Sequence, residues 1–141
     1  MSDLATNLAA RRAIDRQMDR LICAAAKAVS KLKGTDMKEN QIRNLVNVAC
    51  ATESMEAVTN FIRYQIGRFP RNWTEFGKTV IADIQTGAVK DALDAVREAV
   101  SGVDLVWARA ELTGLYLGYL NRSFVYASKS NDWQNLCGTS V

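Results

Sequence analysis

Only one proline, Pro70, occurs in the 141-residue chain, and on both sides of it apolar residues recur at steps of three and four. Proline fixes φ and offers no N–H, so it stops a helical ladder, and its near absence leaves long stretches free to coil. Residues three and four apart share one face of an α-helix, whereas a half-buried strand needs a period of two. With eight glycines and abundant Ala, Leu, Arg and Glu, the chain is expected to be all-α.

The apolar spacing predicts the helices one by one. Ile14, Met18, Leu21, Ala25, Ala28 and Leu32 form a single stripe, closed by Gly34, with Arg12, Arg16, Arg20, Lys27 and Lys31 on another side. A second helix starts near Asp36, with Glu39 placed for a capping box, and turns Ile42, Leu45, Val46 and Ala49 inward. A third runs from about Thr52 to Phe69, with Val58, Phe61, Ile62, Ile66 and Phe69 inward, and Pro70 marks the joint to the next. Asn72 and Glu75 repeat the cap signature ahead of Trp73, Phe76, Val80, Ile81 and Ile84, and Gly87 is the expected stop. A short helix carrying Val89, Leu93, Val96 and Val100 and a long one over roughly 103–128 complete the chain. Gly114 and Gly118 have the small-xxx-small spacing of closely packed helices. The expectation is a compact single-domain bundle of five to six helices over residues 1–129, with a flexible C-terminal tail, "SNDWQNLCGTSV", at 130–141.

Several function classes drop out. The chain has no histidine, which removes the commonest neutral-pH acid/base and the usual zinc and iron ligand sets. Neither a Walker sequence nor G-x-G-x-x-G is present. Asp91, Asp94 and Glu98 share a helical face, but Lys90 and Arg97 intervene and no second carboxylate helix faces them, so a solvated face is expected. Cys23, Cys50 and Cys137 contain no C-x-x-C pair; Cys23 and Cys50 are expected to be small buried apolar residues in a reducing compartment. The run at 105–120 is broken by Arg109 and Glu111, so no membrane contact is expected. These points predict a soluble cytoplasmic protein that is not an enzyme and has no cofactor and no metal.

The cations remain. The net charge is only +3, but residues 1–33 hold seven Lys/Arg against three Asp, which leaves −1 for the rest. Interspersed Asp15 and Asp19 favour a solvated face for the first stripe. The second helix presents Asn40, Arg43, Asn44 and Asn47 at helical spacing, one guanidinium and three amides able to donate to phosphate or sugar oxygens. Three asparagines on one helical face cost local stability. At the proline joint, "IRYQIGRFPRNW" gathers Arg63, Arg68 and Arg71 among Tyr64, Phe69 and Trp73. Cations interleaved with aromatics suit a single-stranded nucleic-acid backbone with flat bases.

"QIRNL" at 41–45, "FIRYQIGR" at 61–68, an aromatic-led helix and a final tyrosine-rich helix, "LYLGYLNRSFVYA", resemble the small subunit of type III (Csm-type) CRISPR effector complexes. The resemblance spans Asp36 to Ala127. It implies a non-catalytic helical bundle that self-associates in a filament, alongside other CRISPR effector subunits, and holds crRNA-guided single-stranded target RNA by its phosphate backbone without reading sequence. The alternative expectation is a helical protein–protein adaptor or regulatory subunit with no nucleic-acid contact, whose 14–32 stripe pairs with a partner helix.

Overall fold

A computed structural model describes residues 4–134 and 136–137. Those residues form an all-α bundle without a strand. The helices are α1 (Leu4–Asp15), α2 (Met18–Ser30), α3 (Glu39–Cys50), α4 (Met55–Arg68), α5 (Pro70–Gln85), α6 (Ala88–Ala99) and α7 (Leu105–Ser130). The expected first helix is divided at Arg16–Gln17, where the Gln17 N–H turns back to the Ile14 carbonyl at 2.9 Å. Ile14 and Leu21, on either side of that break, both stay in the core. Counted as one broken helix, α1 and α2 leave six.

The long α7 is the hub. It packs against α2, α3 and α6, while α4 pairs with α5 and α3. Its Ala108, Leu112, Tyr116, Leu117, Leu120, Phe124 and Ala127 are buried, as are Ile42 and Leu45 of α3, Ile62 of α4 and Trp73, Phe76, Val80 and Ile84 of α5. Burial of one such side chain is worth roughly 1.5–3 kcal/mol, and this contiguous cluster holds the bundle together. The stripe from Ile14 to Leu32 belongs to the same cluster, with Leu21, Ala25 and Ala28 fully enclosed. An exposed partner-binding stripe on that face is therefore ruled out: the bundle itself is the partner.

The joint between α4 and α5 is one residue tight. Pro70 takes the first position of α5, where its missing N–H costs nothing. The Trp73 N–H donates to Phe69 O at 3.0 Å, so α5 starts ahead of the expected cap at Asn72. Asn72 instead accepts the Asp36 N–H on its Oδ1 at 3.0 Å, tying the loop before α3 to the joint. Asp36 does not cap α3 either; it pairs with Lys38 at 3.0 Å, and α3 begins at Glu39.

Two further expectations are corrected. Gly114 and Gly118 have open space where a Cβ would stand, so they are not close-approach positions. The close approach is at Gly77, where a Cβ would sit 2.9 Å from Ile66 Cδ1 and 3.1 Å from Ile62 Cγ2. Cys50 is exposed at the end of α3, and Cys23 is bonded to Cys137 instead of lying free in the core. That disulfide bears on the segment expected to be a flexible tail: Trp133 and Leu136 pack against the core, and the Trp133 ring meets Phe124 edge-on with centroids 6.2 Å apart. The last four tail residues lie outside the described part. No helix among the described residues is long and apolar enough to cross a membrane.

Candidate functional site

α3 and α4 form an antiparallel hairpin joined by residues 51–54. Arg43 stands seven residues before Cys50, and Arg63 eight residues after Met55. At about 1.5 Å per residue, both lie roughly 10–12 Å from the connecting loop. The inward faces are fixed by Ile42, Leu45 and Ala49 on α3 and by Val58, Ile62 and Gln65 on α4. Asn40, Arg43, Asn44 and Asn47 are consequently exposed, and so are Arg63 and Arg68; Arg71 is exposed in the first turn of α5.

The predicted residues fall into three local groups. On α3, Arg43 Nη2 pairs with Glu39 at 3.2 Å, so its charge is partly compensated within its own helix. At the end of α4, Arg68 Nη1 donates to the Tyr64 hydroxyl at 3.1 Å. The same guanidinium lies over the rings of Tyr64 and Phe69, 5.3 and 4.9 Å from their centroids. Tyr64 itself is 55% exposed, so one aromatic edge and one guanidinium face solvent together. Across the joint, Arg71 lines an open cleft of about 720 Å³ with Gly34, Thr35, Asp36, Phe69, Pro70 and Asn72. Among the described residues, Arg63, Arg68 and Arg71 have no carboxylate within ion-pair distance. That leaves three uncompensated guanidiniums within nine residues of chain, with an exposed tyrosine between two of them.

Such a surface can bind anions and stack flat rings. The nearby carboxylates have cationic partners: Glu39 is engaged by Arg43, and Asp36 in the cleft pairs with Lys38 at 3.0 Å. On α6, Lys90 and Arg97 reach Asp94 at 2.7 and 3.5 Å. Among the described residues no group of three acidic or cysteine side chains is placed to hold a metal ion.

A second concentration of charge was legible only in part. Arg20 and Lys27 of α2 and Lys31 at its C-cap line a groove of about 660 Å³ with Cys23, facing Thr79 and Asp83 of α5. The cations' helical spacing was visible in the sequence, but the apposition of α5 was not. Asp83 is half-buried in that wall, and its carboxyl is pushed above the usual range by burial, against the pull of the Tyr116 hydroxyl and the Lys27 ammonium. Tyr116, fully enclosed beneath it, is driven well above the ordinary phenol range by burial and by Asp83. The α1–α7 contact rests on Arg11, which pairs with Glu111 at 3.4 Å and lies 5.2 Å over the Trp107 ring.

No protein-family model, curated protein or solved structure matches this chain.

Proposed function

We propose that this chain is a non-catalytic RNA-binding subunit that holds single-stranded RNA by its phosphate backbone at the α4–α5 joint. In this reading it serves as the small subunit of a type III CRISPR ribonucleoprotein, in which guide pairing supplies sequence specificity and other subunits supply chemistry. The observation that carries the proposal is the exposed trio Arg63, Arg68 and Arg71, without a carboxylate partner among the described residues, with Tyr64 held under Arg68. Guanidiniums match phosphate oxygens in fork geometry, and a tyrosine pre-oriented by a hydrogen bond offers a stacking edge with little entropy left to lose. Asn40, Asn44 and Asn47 on the neighbouring helix add exposed neutral donors.

One copy meeting about three phosphates binds weakly at physiological salt, and an array of copies converts later contacts into intramolecular ones. Modest charge per chain therefore suits an assembled role better than a solitary one.

The test is fluorescence anisotropy of a labelled single-stranded RNA of about 30 nucleotides at several salt concentrations. Wild type should bind with affinity falling as salt rises, and an Arg63/Arg68/Arg71 triple alanine variant of unchanged helicity should not bind. Absence of binding by wild type at low salt and high protein concentration overturns the proposal. It would favour an adaptor, for which Leu4 and Leu8, exposed at i, i+4 on α1, are among the apolar contacts on the surface.

A further inference from the structure

The disulfide between Cys23 and Cys137 spans 114 residues and joins α2 to the C-terminal segment. Its two ends differ in surroundings. Cys23 lines the groove that carries Arg20, Lys27 and Lys31 on its own side and the single carboxylate Asp83 on the α5 wall, so cations outnumber anions around it. Arg20 precedes it by three residues and Lys27 follows it by four, spacings that set both cations beside the sulfur on one helical face. The segment before Cys137, "NDWQNLC", contains Asp132 and no cation. Cationic neighbours stabilise a thiolate, and the sulfur whose thiolate is better stabilised is the better leaving group in exchange.

We propose that Cys23–Cys137 is a redox clasp, opened by a dithiol reductant, with Cys23 the sulfur released first. A thiolate of the reductant attacks Cys137 Sγ and forms a mixed disulfide. The Cys23–Cys137 bond breaks, and its electron pair leaves on Cys23 Sγ. The reductant's second thiolate attacks its own first sulfur, closing a cyclic disulfide and expelling Cys137 as a thiolate. Two electrons pass from reductant to protein, and the reductant's two protons balance the two cysteine thiolates. Oxidised dithiol reverses the sequence.

Opening the clasp removes the segment's covalent tie. The described residues 131–134 and 136–137 lie outside any helix; Trp133 and Leu136 pack on the core, and Asp132 accepts from the Tyr126 hydroxyl at 2.8 Å. Reduction returns to the segment the conformational freedom that the closed loop withholds, so the segment loosens and Cys23 is uncovered between its cations.

The full-length chain, equilibrated in defined ratios of reduced and oxidised dithiothreitol, is alkylated and weighed intact, and its C-terminal cleavage by a dilute protease is timed in parallel. The expected result is one alkylated thiol, Cys50, in the oxidised protein and three in the reduced protein. C-terminal cleavage should be roughly tenfold faster after reduction. Three free thiols under oxidising conditions, or cleavage indifferent to reduction, overturn the clasp. In reduced protein carrying Cys50→Ser and Cys137→Ser, adding Arg20→Gln and Lys27→Gln should slow Cys23 alkylation several-fold at pH 7 and move its pH profile upward. Unchanged rates overturn the assignment of Cys23 as the leaving sulfur.

Discussion

The Tyr116 hydroxyl donates to Asp83 Oδ2 at 2.5 Å from a ring with no exposed surface. This bond links the central helix α7 to the wall of the basic groove on α5, and it couples packing to protonation. A carboxyl whose pKa rises on folding favours the fold in its protonated form. That contribution is complete below the unfolded value of 3.8 and disappears as pH rises through the higher folded value.

Asp83→Asn keeps an acceptor for Tyr116 and removes the half-buried charge. The thermal midpoint of the variant, relative to wild type, should therefore improve between pH 3 and pH 7. A trend in the opposite direction would mean that the Lys27 ammonium outweighs desolvation. Tyr116 has the same sense at the alkaline end, because the fold retains a phenol proton that the unfolded chain releases above about 10.0. Wild type should lose stability above that pH relative to Tyr116→Phe, measured in parallel melts.

Gly77 lets α5 approach α4 at the point where Ile66 and Ile62 fill the gap. Two effects oppose each other in Gly77→Ala. Alanine gains about 1 kcal/mol of helix propensity over glycine, while overpacking a filled contact costs about 1–3 kcal/mol. The expected outcome in urea unfolding is a loss of up to about 2 kcal/mol. In an Ile66→Ala background, where the two nearest contacted atoms are gone and Ile62 Cγ2 at 3.1 Å remains, the same change should cost less than in wild type. Strict additivity in that double-mutant cycle would show that the Ile66 contact does not set the residue at 77.

The helices and their inward faces were legible because the apolar period is local information: Ile42 with Leu45, or Phe76 with Val80, announce a buried face whatever they meet. What they meet is not local. The small-xxx-small spacing at Gly114 and Gly118 is the same whether or not a neighbour arrives, and the neighbour arrives at Gly77 instead. Cys23 and Cys137 carry no signal of pairing, since their proximity depends on how α7 returns the chain to α2. At the candidate site, the exposure of Arg63 followed from the helical face, but that of Arg68 and Arg71, the Arg43–Glu39 pair and the seat of Arg68 over Tyr64 and Phe69 rest on rotamers and on the joint geometry.

The Cys23–Cys137 bond closes a loop of 114 residues, nearly the whole chain. In the chain-entropy account a closed loop of about 100 residues contributes about 4.7 kcal/mol, an upper figure because denatured chains keep structure. Reduction should lower the unfolding midpoint by several degrees while leaving helicity at 25 °C largely intact, because the helical core does not depend on the tail. Circular dichroism melts with and without dithiothreitol check this. Equal midpoints would mean that the closed loop restricts the unfolded chain little.

The arginines at the candidate site are not equivalent, and salt dependence can rank them. Each phosphate neutralised on a single strand contributes roughly −0.7 to the slope of log affinity against log salt, so a trio should give a slope near −2. Arg63 has no ion-pair partner among the described residues, whereas Arg43 must leave Glu39 to reach a phosphate. Arg63→Ala should therefore cost more RNA affinity than Arg43→Ala and reduce the slope by about 0.7, while Glu39→Gln should strengthen binding by releasing Arg43. All three residues are on the surface, so their thermal midpoints should stay close to wild type, within about half a kcal/mol of stability. A larger loss from Arg43→Ala than from Arg63→Ala would move the centre of the RNA surface from the α4–α5 joint to the asparagine-rich face of α3.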